Sequence, residues 1–192
     1  MGGPILAKAG RFDDMAALMN YMRKLCLRPD GLYRHSPLDE SAWGRGNGFP
    51  ALGLVLSLEA MPKDHPDFAP LLLAFQQHMS TLTQHQDPIG MWHQVVDQPA
   101  SYREFTATAM IAFAMMRGIR NGWLDQSNYL PRVQRAWYAI RARIGHDGGL
   151  VDVCTGTGKQ KSVREYLDRP AILGRDPRGG AMALLLATEL AN

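Results

Sequence analysis

Cysteine is scarce in this chain: 192 residues carry only Cys26 and Cys154. Two thiols cannot staple a chain of this length, so a disulfide scaffold is excluded and a reducing cytoplasm is the expected compartment. Long apolar runs are also missing. None reaches the ~18 residues that cross a bilayer, so no membrane partner is expected. Met1–Gly10 lacks the basic stretch and apolar run of a secretory signal. Leu6 stands where a myristoylated Gly2 requires Ser or Thr. Charge of one sign is not in excess, the net charge being +3. Arg132, Arg135, Arg141 and Arg143 alternate with apolar residues and have no aromatic stripe beside them, so no nucleic-acid partner is expected. His65, His78, His85, His93 and His146 have no carboxylate at i, i+4 in metal-ligand order. No metal and no other cofactor is expected.

What remains is helical. Phe12–Cys26 places Met15, Leu18, Met22 and Leu25 on one face. Ala51–Ala60 is almost wholly apolar and reads as a buried helix. Pro66–Gln84 is amphipathic, Thr106–Arg117 apolar all round, Ser127–Ile144 amphipathic, and Gly180–Leu190 a last small-residue apolar helix. Strand patterns are short at best. Buried and one-faced helices therefore alternate.

A second signal sets a period. Asp30-Gly31-Leu32-Tyr33, Ile89-Gly90-Met91-Trp92 and Asp147-Gly148-Gly149-Leu150 share a Gly-apolar turn, with Gly31, Gly90 and Gly149 spaced by 59 residues each time. A fixed period with a helix pair per unit marks stacked α-hairpins. Alternating burial suggests two concentric layers, an all-α (α/α) toroid whose polar loops gather on one rim. Six hairpins of this period need ~350 residues, so residues 1–192 hold about half of a toroid in a single partial domain.

The richest stretch is Trp43-Gly44-Arg45-Gly46-Asn47-Gly48-Phe49. Three glycines alternate with an indole, a guanidinium, an amide and a phenyl ring. Glycine permits close backbone approach and positive φ, so the run reads as a loop entering the helix at Ala51. A helix N-terminus favours anions, Arg45 adds a bidentate cation, and the rings add flat faces. The pattern suits a small, flat, negatively charged ligand; the competing reading is a glycine-rich turn with two buried aromatics.

Trp43–Phe49, Gly90-Met91-Trp92-His93-Gln94-Val95-Val96-Asp97, Tyr102-Arg103-Glu104, Thr108-Ala109-Met110, Val153-Cys154-Thr155-Gly156-Thr157 and Asp176-Pro177-Arg178-Gly179-Gly180 together resemble the unsaturated glucuronyl and rhamnogalacturonyl hydrolases, glycoside hydrolase families 88 and 105. The resemblance runs from Met1 to the C-terminus and covers the C-terminal half of that family's (α/α)6 barrel. It implies an oligosaccharide substrate ending in a 4,5-unsaturated uronic acid. It also implies chemistry apart from carboxylate attack at the anomeric carbon. An aspartate protonates C4 and helps water add at C5; the hemiketal opens and releases the next sugar. By the same resemblance His35, Trp43, Arg45, Asn47 and Phe49 bind substrate, with Arg45 near the uronate carboxylate or the reacting water.

Two departures matter. Phe49 replaces the family tryptophan, keeping the π-face and losing an N–H donor. The aspartate of the family's Asp-x-Leu-x-Met motif is absent, because Met1 falls on the methionine; no catalytic residue is expected within this chain. Trp92, Gln94 and Asp97 occupy the equivalent loop of the next repeat and read as rim or supporting residues. Glu104 either orients Arg45 or starts a helix. Gly156-Thr157-Gly158-Lys159 lacks the phosphate-loop pattern, and Cys154 reads as a buried thiol. Two functions follow: a fragment of an unsaturated uronyl hydrolase, or an inactive helical remnant that binds a sugar or a partner chain. Exposed edges of a half toroid predict a homo-oligomer or association with an N-terminal half.

Overall fold

The computed structural model describes residues 2–191. Met1, on which the resemblance places the family methionine, lies outside them. The chain order is α1 (Gly2–Lys8), α2 (Phe12–Cys26), α3 (Gly44–Ala60), α4 (Phe68–Thr83), α5 (Phe105–Arg120), α6 (Gln126–Arg141), β1 (Leu150–Cys154), α7 (Val163–Leu167), β2 (Ala171–Gly174) and α8 (Pro177–Ala191). The expected all-α character holds. The β strands form one small antiparallel pair, Val153 opposite Ile172 and Cys154 opposite Ala171.

Packing divides the helices into two layers. α1, α3, α5 and α8 neighbour one another in a row, and α2, α4 and α6 each lie against the inner helix before them. Composition explains the division. α5 offers Ala, Thr, Met and Phe on every side, and Phe105–Met115 is buried without interruption. α6 buries only the stripe Tyr129, Val133, Ala136, Ala139 and Ile140. α8 departs from expectation: although apolar, it buries only Gly179, Ala183, Leu186 and Glu189. Leu184 on its other side is 65% exposed. Charge also joins the inner layer. Arg117 on α5 pairs with Glu59 on α3 at 2.7 Å and with Glu189 on α8 at 3.1 Å.

The repeat is real, with its third anchor shifted by one residue. Gly31, Gly90 and Gly148 have φ of +86°, +100° and +79°. Each N–H donates to the carbonyl three residues back, on Arg28, Asp87 and Gly145. A preceding aspartate caps each turn: Asp30 accepts from Leu32 N–H, Asp87 from Met91 and Asp147 from Gly149. Gly149 is not left-handed, so Gly148 is the anchor. Only glycine enters the left-handed region without strain, which is why it marks the period.

Candidate functional site

The glycine-rich stretch is helix, not loop. α3 begins at Gly44, and none of Gly44, Gly46 and Gly48 has positive φ. Their use is close approach. A Cβ on Gly44 would stand 2.5 Å from the His93 carbonyl oxygen, and one on Gly48 3.1 Å from Met110 Cβ. The first N–H of α3 is not open to an anion, since Gly44 donates to the Gln94 carbonyl at 2.7 Å. Val96 in turn donates to the Ala42 carbonyl at 2.8 Å. These bonds lock the entry of α3 to the loop of the next repeat.

Three of the five expected ligand residues share a wall. His35, Trp43 and Phe49 line a cavity of 420 Å³ between α1, α2 and α3, whose other walls include Met22, Leu54 and the Gly2–Pro4 backbone. No carboxylate lines this cavity among the described residues. The imidazole of His35 lies 4.4 Å from the Trp43 indole, centre to centre, and its Nδ1 is 2.8 Å from the Tyr166 hydroxyl. Burial lowers the His35 pKa below its ordinary 6.5, and the positive charges of Lys159 and Arg45 push the same way. His35 is thus held neutral near pH 7, able to accept or pass a proton. Phe49 is 39% exposed, an open π-face at the cavity.

Arg45 does not line the cavity. It is buried beside it, with its guanidinium carbon 5.1 Å from the Trp43 ring centre. Nη2 donates to the carbonyls of Cys154 at 3.1 Å and Thr155 at 2.6 Å. Among the described residues Nη1 is buried with no partner. An unpaired buried donor costs about 1–3 kcal/mol. Asn47 is placed otherwise than in a binding role. Its Oδ1 accepts from Tyr33 N–H at 2.8 Å, and its Nδ2 donates to the Tyr33 and Trp43 carbonyls. The amide is fully used in fastening Tyr33 to α3.

Of the second repeat's residues, Trp92, Gln94 and Glu104 are interior, and Asp97 is half-buried. Trp92 is fully buried and donates from its indole to the Leu82 carbonyl at 2.7 Å, so it is core and not rim. Asp97 pairs with Arg28 at 2.9 Å. Gln94 donates to the Tyr166 carbonyl at 2.9 Å. Among the described residues Glu104 forms no ion pair or hydrogen bond with Arg45; it is the N-cap of α5, accepting from Thr106 and Ala107 N–H, and also from Cys154 N–H at 2.8 Å.

Cys154 and Tyr166 are the residues that sequence reasoning missed as site members. Both are buried and form a small apolar cluster with Trp43 and Val95. The Trp43 indole donates to Cys154 Sγ at 3.4 Å. Burial, and next the Cys154 side chain, hold the Tyr102 hydroxyl protonated by raising its pKa. The period does not mark them, since a 59-residue step from Gln94, Tyr102 and Glu104 leads to Val153, Lys161 and Val163. His35 and Gln94, Trp43 and Tyr102, and Arg45 and Glu104 are pairs 59 residues apart. The first and third pairs converge on one residue of the third unit each, Tyr166 and the Cys154 main chain, and the Trp43 indole adds the Cys154 thiol.

Inner and outer helices in sequential hairpins, with a pocket at the loop end of an inner helix, define an α/α protein of the helical-toroid class. A structure described as a possible family 105 glycoside hydrolase from Salmonella enterica shares this fold, with a TM-score of 0.87 at 24% identity, over 98% of this chain and 52% of that one. An unsaturated rhamnogalacturonyl hydrolase of Bacillus subtilis is 34% identical over 128 residues, 67% of this chain and 35% of that protein. An unsaturated 3S-rhamnoglycuronyl hydrolase of Formosa agariphila is 33% identical over 111 residues, 57% and 29% of the two chains. The family model described as Glycosyl Hydrolase Family 88 matches residues 1–192. The chain belongs to glycosyl hydrolase family 88. It spans about a third of those two enzymes and about half of the solved domain.

Proposed function

We propose that this chain forms the substrate-holding part of a hydrolase for oligosaccharides that end in a 4,5-unsaturated uronic acid. Residues 1–192 are then the C-terminal part of a longer toroid. The observation that carries the reading is the wall of His35, Trp43 and Phe49 with Arg45 against the indole. A planar unsaturated ring stacks on aromatic faces. The unpaired Nη1 of Arg45 supplies a charge-assisted donor for the uronate carboxylate or for the water that adds at C5. Neutral His35 lines the subsite and orients polar atoms of the sugar.

The general acid lies outside the chain in this reading. A cavity wall without a carboxylate supports that placement, and it favours binding without turnover for these residues by themselves. Exposed apolar side chains support a partner that completes the domain. Ile5 on α1 is 70% exposed and Tyr21 on α2 is 62% exposed, and Leu184 adds a patch on α8. The partner is a further helical segment or a second copy of the chain. Two buried free cysteines suit the reducing cytoplasm. No described helix is long and apolar enough to cross a membrane.

The test offers the chain an unsaturated uronyl disaccharide. Quenching of tryptophan fluorescence reads binding, and loss of the double-bond ultraviolet absorbance reads turnover. Binding without turnover is expected. Robust turnover abolished by Arg45→Ala would place the acid within the chain, and no binding at all would sink the substrate assignment. Sedimentation is expected to show association; a clean monomer would remove the partner.

A further inference from the structure

Glu104 makes more bonds than a helix cap needs. An N-cap side chain serves the N–H groups of the first turn. Glu104 serves Thr106 N–H at 3.0 Å and Ala107 N–H at 2.5 Å, and takes the Thr106 hydroxyl on both oxygens at 2.8 Å. It then reaches across 50 residues to accept from Cys154 N–H at 2.8 Å. On the same residue the Cys154 carbonyl accepts from Arg45 Nη2 at 3.1 Å. Glu104 and Arg45, repeat-equivalent and opposite in charge, therefore grip one residue from its two ends. Carboxylate and main-chain segment are both fully buried.

We propose that Glu104 is a positioning residue for Arg45, acting through the main chain of Cys154. With Cys154 N–H fixed by a buried carboxylate, the adjoining carbonyls of Cys154 and Thr155 are fixed too. Those carbonyls hold Nη2, and the planar guanidinium then sets where Nη1 stands. Arg45 is long and flexible by nature, and beside the Trp43 ring these two carbonyls are its hydrogen-bond partners among the described residues. The role rests on the proposed assignment of Arg45 as the cation that meets the uronate.

Glu104→Asp separates positioning from capping, since Asp is a good N-cap but is too short to reach Cys154 as well. The readout is hydrogen exchange by nuclear magnetic resonance: the Arg45 Nη protons, assigned with Arg45→Lys, and the backbone amides of Thr106, Ala107 and Cys154. In Glu104→Asp the Arg45 Nη protons are expected to exchange about tenfold faster while Thr106 and Ala107 stay protected, tenfold being the worth of one charge-assisted hydrogen bond. Coupling is reciprocal, so Arg45→Lys, with Glu104 intact, is expected to speed exchange at Cys154 N–H. Unchanged Arg45 exchange in Glu104→Asp overturns the proposal. If that variant does not fold, an unchanged Cys154 amide in Arg45→Lys overturns it. Binding of the unsaturated uronyl disaccharide is expected to weaken about tenfold in Glu104→Asp as well. A wild-type chain that shows the coupling but binds no disaccharide removes the uronate assignment and leaves the positioning in place.

Discussion

Gly44 and Gly53 lie in one helix, and alanine should act on them in opposite directions. Alanine gains about 1 kcal/mol over glycine inside a helix. At Gly53 the new Cβ would meet only Met19 Cε, at 3.7 Å, an ordinary contact with the free end of a flexible side chain. The gain is realised there, and the midpoint of thermal unfolding should rise by about 2–4 °C for a domain of this size. At Gly44 the Cβ would stand 2.5 Å from the His93 carbonyl oxygen and 3.3 Å from that of Gln94. Neither is a side chain that can swing away. Moving that segment loosens Gly44 N–H to Gln94 and Val96 N–H to Ala42, each worth about 1 kcal/mol. Overpacking strain adds about 1–3 kcal/mol. Set against the helix gain, the net loss is about 2–4 kcal/mol, or about 4–16 °C. Urea and thermal unfolding followed by circular dichroism on wild type and both variants decide the matter. If Gly44→Ala proves as stable as Gly53→Ala, close approach is not what keeps glycine at the head of α3.

Acid should destabilise the fold through two histidines. Burial lowers the pKa of both His35 and His78, so each folded value lies below the ordinary 6.5. Their stabilising contribution is complete above pH 6.5 and is lost as pH falls through the folded values. Chemical unfolding from pH 7.5 to 5 is expected to show that loss, and His35→Gln to reduce it. Arg117→Met should cost about 2 kcal/mol in urea unfolding, because it strips charged hydrogen bonds from Glu59 and from nearly buried Glu189. Phe49→Trp restores an indole N–H at an exposed cavity position. Calorimetric titration with an unsaturated uronyl disaccharide should show tighter binding, with the unfolding midpoint unmoved.

Much of the scaffold could be read from the residues. α2 spans Phe12–Cys26 as its apolar spacing predicts. The alternation of apolar and one-faced helices became an inner and an outer layer. The failures have physical causes. Gly44, Gly46 and Gly48 disfavour a helix by propensity, yet neighbouring backbone and Met110 demand residues without a side chain, and packing overrode propensity. α8 is apolar in composition but buries one stripe, because composition does not say what a helix faces. Asn47 and Gln94 are amides that suit a sugar or a main chain equally well. Only the fold revealed that both hold protein groups, Tyr33 for one and the Tyr166 carbonyl for the other. Tyr166 itself sits in a five-residue helix within a polar segment, where no periodicity could mark it.

The period relates the proposed subsite to the repetitive scaffold that carries it. His35, Trp43 and Arg45 recur 59 residues later as Gln94, Tyr102 and Glu104, around the entry to the next inner helix, with Arg45 inside α3 and Glu104 capping α5. The first set meets the cavity or keeps an unpaired donor next to it. The second set is turned inward: Gln94 and Glu104 are fully buried. Both sets hold the third unit, at Tyr166 and Cys154. Buried polar groups are costly unless satisfied; Glu104 and the Gln94 amide nitrogen are spent on hydrogen bonds within the protein, while Gln94 Oε1 and the Tyr102 hydroxyl have no partner among the described residues. The outward copy inherits a frame in which its ring and guanidinium are already fixed. Preorganised donors are what charge developing on a substrate requires. Exchanging Gln94 or Glu104 should therefore disturb the proposed subsite without touching the proposed ligand, whereas exchanging Phe49 should alter that proposed contact and leave the frame alone.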